Sequence, residues 1–140
     1  MVVLDTSIIF KWLREEDNRH LSLKILDDFL EGKEEVIAPD IILYELANAL
    51  TFKKELTEED VLAAWELFID FKIQIYIPDA KFIEKCLIFA KKYGVTVYDA
   101  SYAVLAKEKK CNLITKDEKF AEAVSLPFVK TLSDFKRISS

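Results

Sequence analysis

The run Val2-Val3-Leu4-Asp5-Thr6-Ser7 decides the fold of this chain, because three apolar residues end abruptly at an acid. A short, wholly apolar run bounded by polar residues is typical of a buried strand. The run therefore predicts a strand over Val2–Leu4, with Asp5 lying just beyond the end of that strand.

Outward from this strand, the pattern of apolar residues predicts an alternation of strands and helices. Residues 57–60 (Thr-Glu-Glu-Asp) resemble a capping box, and Gly32 and Gly94 follow runs with helical periodicity. The predicted strands span 2–4, 36–38, 73–77 and 112–115, with a last edge strand at 128–129. The predicted helices span 7–14, 19–31, 41–54 with Asp40 as N-cap, 57–71, 79–94 with Phe82, Ile83, Cys86, Leu87 and Ala90 inward, 98–109 and 117–123.

This alternation predicts an α/β fold with a parallel sheet covered by helices on both faces. The length of 140 residues suits a single domain over 1–140. In such sheets, ligands bind beyond the carboxyl ends of the strands, near the point where the strand order reverses. Functional residues are therefore expected at that edge.

The composition excludes several classes of protein. Hydrophobic residues make up 51% and charged residues 32%, which is typical of a globular domain, and no apolar run is long enough to cross a membrane. The net charge of −5 argues against a protein that coats nucleic acid by charge alone. Cys86 and Cys111 lack metal-ligand spacing, and we expect free thiols in the cytoplasm, although one disulfide is conceivable.

Three aspartates are expected at the ligand edge of the sheet. Asp5 follows the first strand, Asp117 follows the strand over 112–115, and Asp99 opens the helix over 98–109. Aspartate is a favoured helix N-cap, so each of them alone has a structural explanation. Three acids, each at the start of a helix on one side of a sheet, favour a functional site.

Glu45 is unusual because it lies within the nearly apolar stretch 41–50. Asn48 is three residues further on and shares its helical face. Burial of an unpaired charge is costly, so Glu45 needs a partner, for which a lysine and a metal ion are both candidates.

Clustered carboxylates suit hydrolysis of a phosphodiester, whose own charge repels a nucleophile. Hard divalent cations overcome this repulsion and prefer oxygen ligands, which favours Mg²⁺ or Mn²⁺ over Zn²⁺. The single histidine, His20, lies in a predicted amphipathic helix away from the acids and is expected at the surface.

Four segments, in this order, resemble the signature segments of PIN domains, and among these the VapC toxins of toxin–antitoxin pairs are most similar. The segments are Asp5-Thr6-Ser7, Tyr44 to Leu50, Tyr98-Asp99-Ala100-Ser101-Tyr102 and Thr115-Lys116-Asp117.

The resemblance implies a three-layer α/β/α sandwich, usually dimeric, and a Mg²⁺- or Mn²⁺-dependent endoribonuclease that leaves 5′-phosphate and 3′-hydroxyl ends. It also implies a small antitoxin partner. By position, the metal-binding and catalytic set would be Asp5, Glu45, Asp99 and Asp117. Thr6 or Ser7 and Thr115 would support the ligands by hydrogen bonding, and Asn48 would orient Glu45 or its water.

Several alternatives remain open at this stage. A haloacid-dehalogenase phosphatase would need a second aspartate where Ser7 stands, and a receiver domain would have no place for Glu45 and Asp99. A PIN domain in RNA processing, or a PIN-like scaffold that no longer cuts, stays possible. The lysines and arginine expected to flank the site, or else to lie on a solvated surface, are Lys11, Arg14, Lys53, Lys54, Lys116 and Lys119. Core or dimer interface is expected for Trp12, Phe52 and Trp65. The helix pair 41–54 and 57–71 carries apolar residues on more than one face, which predicts a homodimer; they include Leu50, Phe52, Leu62, Trp65 and Ile69.

Overall fold

The computed structural model describes residues 1–13 and 19–134, without the side chains of 19–21. The predictions for Arg14 and for the His20 side chain lie outside this part of the chain. The strands are β1 (Val2–Leu4), β2 (Val36–Pro39), β3 (Gln74–Tyr76), β4 (Asn112–Thr115) and β5 (Val129–Thr131). The helices are α1 (Thr6–Leu13), α2 (Arg19–Leu30), α3 (Ile41–Thr51), α4 (Glu58–Phe71), α5 (Ala80–Tyr93), α6 (Val97–Lys109) and α7 (Glu118–Val124).

The five strands form one parallel sheet in the order β3-β2-β1-β4-β5. Val3 of the central strand pairs with Ile37 on one side and with Leu113 on the other. The chain builds the sheet outward from β1 to β3 and then returns to add β4 on the opposite side of β1. The strand order therefore reverses between β1 and β4, and this crevice is where such folds bind ligands.

The predicted α/β/α class is confirmed. The central position of β1 agrees with the burial of its residues in the core. Val3 and Leu4 are fully buried, as expected for a strand covered on both faces. Helix α6 packs on β1, β2 and β4, and its buried face includes three alanines, at 100, 103 and 106. Small side chains allow a helix to approach the sheet closely, which brings the first turn of α6 to the crevice.

Several local predictions are confirmed. Thr57 and Asp60 form a reciprocal capping box, and Asp79 caps α5 through its side chain. Gly94 ends α5 at φ 67°, a left-handed conformation that glycine adopts without strain. Cys86 and Cys111 are free thiols. No helix in residues 1–13 and 19–134 is long and apolar enough to cross a membrane.

Other local predictions are wrong for identifiable reasons. Helix α3 ends at Thr51 rather than 54, because its buried face, Ile42, Leu46 and Leu50, is complete there. Asp40 precedes α3 with helical backbone angles and no capping hydrogen bond from its side chain, while its backbone N–H donates to Tyr76 on β3.

The inward face of α5 is narrower than predicted. Ile83 and Leu87 are 38% and 55% exposed, whereas Phe82, Cys86 and Ala90 are buried. Because α5 packs mainly against α6 rather than on the sheet, only one narrow face of this helix is covered.

Candidate active site

Asp5 lies directly after β1, in the crevice where the strand order reverses. Its Oδ1 accepts hydrogen bonds from the Ser7 backbone N–H at 3.1 Å and from Ser7 Oγ at 2.5 Å. Its Oδ2 accepts a hydrogen bond from the Thr115 hydroxyl. Burial raises the pKa of Asp5 to about 6, although each of these hydrogen bonds lowers it. Asp5 is therefore held rigidly, in surroundings that penalise its negative charge.

Thr115 connects this acid to the next one. The Thr115 hydroxyl donates to Asp5 and also accepts the backbone N–H of Asp117 at 3.0 Å. The side chain is 1% exposed, so both bonds are shielded from water. The Lys116 backbone N–H donates to Ser7 Oγ at 3.1 Å, which fastens the loop after β4 to the loop after β1.

Asp117 combines a structural role with an exposed position in the crevice. Its Oδ1 accepts the backbone N–H of Phe120 at 3.0 Å and so caps α7. The N-cap explanation considered from the sequence is thus correct for this residue. Because the cap uses only Oδ1, it does not prevent the other carboxylate oxygen from serving as a ligand.

Asp99 is not the N-cap of its helix. Thr96 takes that position, and its hydroxyl accepts the backbone N–H of Asp99 at 3.0 Å. Burial raises the pKa of Asp99, and the negative charges of Asp117 and Glu45 raise it further. The carboxylate of Asp99 is therefore repelled by the charges of two other acids, and helix capping does not explain why an aspartate stands at this position.

Glu45 is held by two hydroxyl groups rather than by a lysine. Its Oε1 accepts hydrogen bonds from Tyr102 Oη at 2.5 Å and from Thr6 Oγ1 at 3.1 Å. The hydroxyls of Tyr102 and Thr6 are themselves 3.1 Å apart. This triangle joins α1, α3 and α6, and both donors reach the same carboxylate oxygen.

Tyr102 is a site residue that the sequence analysis missed. Its side chain is 3% exposed, and burial together with the charge of Glu45 raises its pKa, so the hydroxyl stays protonated and can donate. A buried tyrosine hydroxyl needs a polar partner, and Tyr102 lies one helical turn after Asp99. In the sequence, the spacing of Tyr102 from Asp99 and the need of a buried tyrosine hydroxyl for a polar partner could have indicated this residue.

Asn48 makes no direct hydrogen bond with Glu45 in the part of the chain that the structure describes, and its role in orienting a water on Glu45 stays a prediction. Asn48 is exposed, and the hydrogen bonds that Glu45 receives within the described residues come from Thr6 and Tyr102. The side chain of Asn48 lies one turn further along α3, outside the hydroxyl triangle.

The lysines expected near the site fall into two groups. Lys11, Lys116 and Lys119 line a groove of about 390 Å³ together with Asp117. Lys11 is 1% exposed, so this lysine is not on the solvated surface. Lys53 instead lies over the ring of Phe10, with its Nζ 5.3 Å from the ring centroid.

The chemistry of the donors fits a hard divalent cation. The four acids offer only carboxylate oxygens, and Mg²⁺ prefers oxygen ligands. Within residues 1–13 and 19–134, no group of three or more acidic, histidine or cysteine side chains is arranged so that it could hold a metal ion. An open arrangement suits Mg²⁺, because this ion keeps several water ligands and is usually held by one or two carboxylates.

Comparison with known proteins identifies related chains. The sequence profile of the PIN domain matches residues 2–125. Over 90 aligned residues the chain is 36% identical to Ribonuclease VapC3 of Pyrobaculum aerophilum, covering 59% of this chain and 66% of that protein, just under two thirds of its length.

Two solved structures illustrate the likeness in fold. The toxin VapC20 of Mycobacterium tuberculosis, described as cleaving the sarcin-ricin loop, superposes with a TM-score of 0.69 at 16% identity, covering 92% of this chain and 97% of that one. A toxin–antitoxin complex from Klebsiella pneumoniae gives a TM-score of 0.70 at 16% identity, with 94% and 98% covered. At these identities the structural likeness establishes the fold alone.

Proposed function

This chain belongs to the PIN-domain family, and we propose that it is a Mg²⁺- or Mn²⁺-dependent endoribonuclease that acts in the cytoplasm as the toxin of a VapBC-type pair. The observation that supports this proposal best is a set of hydrogen bonds at the reversal of strand order: Thr115 joins Asp5 to the backbone of Asp117, and Thr6, next to Asp5, holds Glu45. The charges of Asp117 and Glu45 also raise the pKa of Asp99, so these acids repel one another. A fold gains nothing from such repulsion, so the cluster suits a cationic ligand.

The proposed metal ligands are Asp5, Glu45, Asp99 and Asp117. A divalent cation bound among them would neutralise phosphate charge and favour ionisation of an attacking water. Water exclusion around Asp5 strengthens its interaction with any cation, because burial lowers the local dielectric. Ser7 and Thr115 hold both Asp5 oxygens in place, so that this carboxylate is oriented before the substrate binds.

Glu45 is proposed to present its second oxygen to the site. Thr6 and Tyr102 both donate to Oε1, so Oε2 remains available to orient a water or a cation. Hydroxyl groups can hold the carboxylate without neutralising its charge. A lysine would neutralise that charge. This difference explains why the neutral donors suit catalysis better than the ion pair considered from the sequence.

The groove beside Asp117 is proposed to receive the RNA backbone. Lys116 and Lys119 are exposed there, next to an acid of the cluster. Lysine side chains attract phosphates without reading base sequence. They would hold the strand so that one phosphodiester lies against the carboxylates.

A small antitoxin and a second copy of the chain are proposed as partners. The relative VapC20 is described as a toxin, and the Klebsiella pneumoniae structure is a toxin–antitoxin complex. An arginine of an antitoxin would match the acidic cluster, because a guanidinium pairs with carboxylates in a bidentate fork. The dimer is supported by the exposed apolar residues of α3 and α4: Tyr44 80%, Phe52 75%, Leu62 55%, Ile69 49% and Leu67 46%.

The decisive experiment is cleavage of RNA by the purified protein with Mn²⁺, with Mg²⁺ and with EDTA, followed by mapping of the ends. Metal-dependent cuts with 5′-phosphate ends, lost in Asp5→Asn and kept in Asp70→Asn on the exposed side of α4, would support the proposal. RNA binding without any cleavage would instead indicate a scaffold. Growth arrest on expression, relieved by the protein encoded beside it, would separate a toxin from a processing enzyme.

A further inference from the structure

A second lysine-rich groove lies between α5 and α6, outside the carboxylate cluster. It has a volume of about 610 Å³, and four lysines line it: Lys85, Lys92, Lys107 and Lys110. Its one acidic lining residue, Glu108, is paired with Lys85. In the described part of the chain no ion pair is formed by Lys92, Lys107 or Lys110, so three of the four cations are not neutralised. A chain with a net charge of −5 thus concentrates positive charge here.

The floor of this α5–α6 groove is apolar and partly aromatic. Ile88 is 63% exposed within it, Tyr93 and Phe128 are half-buried, and the ring of Tyr93 packs against Phe89 with centroids 4.6 Å apart. Lys92 lies over the ring of Tyr93, with its Nζ 5.2 Å from the ring centroid. Lysines beside aromatic rings are the combination with which proteins bind single-stranded nucleic acid: phosphates contact the cations and bases stack on the rings.

The groove leads toward the proposed active site. Helices α5 and α6 are antiparallel neighbours, since Lys85 near the start of α5 pairs with Glu108 near the end of α6. The opposite end of the groove is therefore at Lys92 and Tyr93, three residues before α6 begins. Asp99 lies in the first turn of α6, and the eight residues from Asp99 to Lys107 span about 12 Å along the helix.

We propose that the α5–α6 groove binds the single-stranded RNA substrate on one side of the cut, while the groove of Lys116 and Lys119 holds the strand on the other. This proposal rests on the proposed ribonuclease function. A strand that crosses the carboxylates has phosphates on both sides of the cleaved bond, and each side needs cations. An acidic amphipathic peptide would match the same apolar floor and lysine rim, and the test below distinguishes it from RNA.

The test measures binding of a fluorescein-labelled single-stranded RNA of about 12 nucleotides by anisotropy. EDTA is present throughout, so that cleavage and metal bridging do not contribute. The variant is Lys92→Gln with Lys107→Gln, both exposed and helical. The control is Lys24→Gln with Lys91→Gln, which changes the net charge equally on exposed helical positions outside the groove.

The logarithm of the association constant falls linearly with the logarithm of the salt concentration. Removal of two phosphate contacts should make this slope shallower by about 1.4 for a single strand. The affinity advantage of the wild type over the groove variant should then shrink about sevenfold between roughly 50 and 200 mM salt. The control should keep the wild-type slope. Melting temperatures of both variants, compared with wild type, verify that they fold.

Equal slopes in groove variant, control and wild type would overturn the proposal. So would groove-dependent binding of a Glu/Leu amphipathic peptide without groove-dependent binding of RNA, since that result assigns the groove to a protein partner. Failure of the proposed function is distinct: the protein would not cut RNA with Mn²⁺, yet its binding in EDTA would still depend on Lys92 and Lys107.

Discussion

The hydroxyl of Tyr102 donates a 2.5 Å hydrogen bond to Oε1 of Glu45, a residue 57 positions earlier in the chain. One hydroxyl of the central helix thereby fixes a carboxylate on α3, and Thr6 on α1 adds a second donor to the same oxygen. Because the tyrosine is buried and its pKa is raised by burial and by the charge of Glu45, the hydroxyl remains a donor to this carboxylate at neutral pH.

Tyr102→Phe is expected to lower RNA cleavage and Mn²⁺ affinity by roughly 10- to 100-fold, the usual cost of losing a group that orients a metal ligand. Unfolding should become easier by only about 1.5–3 kcal/mol, the contribution of a hydrogen bond to a charged group. Mn²⁺ titration by calorimetry and urea denaturation measure the two effects. Tyr98→Phe, an exposed position on the same helix, is the control. An unchanged Mn²⁺ affinity in the Tyr102 variant would show that Tyr102 serves packing alone.

Asp99→Asn is expected to abolish RNA cleavage while leaving the metal-free protein as stable as wild type, or more stable. The change keeps the shape of the side chain but removes one charge from a cluster that repels it. Wild type should gain roughly 2.7 kcal/mol from a divalent ion at about 100 times its dissociation constant, and the variant less. Thermal melts in EDTA and in Mn²⁺ measure this gain, and a variant that cuts RNA at the wild-type rate would contradict the role of Asp99.

The stability of the metal-free protein should depend on the ionisation of Asp5. The pKa of Asp5 is about 6 in the folded chain and 3.8 without the fold, so the folded state binds the proton more tightly. This contribution to stability is fully present below pH 3.8 and is lost as the pH rises through about 6. Relative to wild type, Asp5→Asn should therefore gain on the order of 1–3 kcal/mol of stability between pH 4 and pH 7, on top of a pH-independent loss from the hydrogen bonds that an amide nitrogen cannot accept.

The unfolding free energy of Asp5→Asn relative to wild type should fall as the pH falls from 7 to 4. Urea denaturation in EDTA across this range gives the difference in unfolding free energy directly. Asp70→Asn, at an exposed position, should show no such trend. A difference between Asp5→Asn and wild type that stays constant with pH would mean that Asp5 ionises normally in the folded protein.

A charge on the exposed face of α4 should separate the proposed dimer. Leu62 and Ile69 are two helical turns apart and 55% and 49% exposed, so a partner would cover both. Leu62→Glu with Ile69→Glu should give monomers by light scattering at micromolar concentration, while wild type and a Lys91→Glu control stay dimeric. Monomeric wild type under the same conditions would refute the dimer.

The sequence by itself determined the class of fold and the residues that the sheet presents at its edge. The apolar run Val2–Leu4 and the strand over 112–115 could be recognised because a strand buried on both faces must be apolar throughout. Asp5 follows the first strand directly and Asp117 follows the second after one residue, so their position at the carboxyl edge needed no knowledge of the rest of the chain.

Only the tertiary structure decided what each acid contacts. In the sequence, Asp99 resembled a helix cap. Its electrostatic repulsion by Asp117 and Glu45 becomes apparent only when the packing of α6 against the sheet is known. The hydrogen-bond donors to Glu45 also could not be predicted from the local sequence, because Tyr102 and Thr6 belong to helices that are distant from it along the chain. Hydrogen bonds between side chains depend on directions and separations that are fixed only when the helices pack, and no periodicity along the chain encodes them.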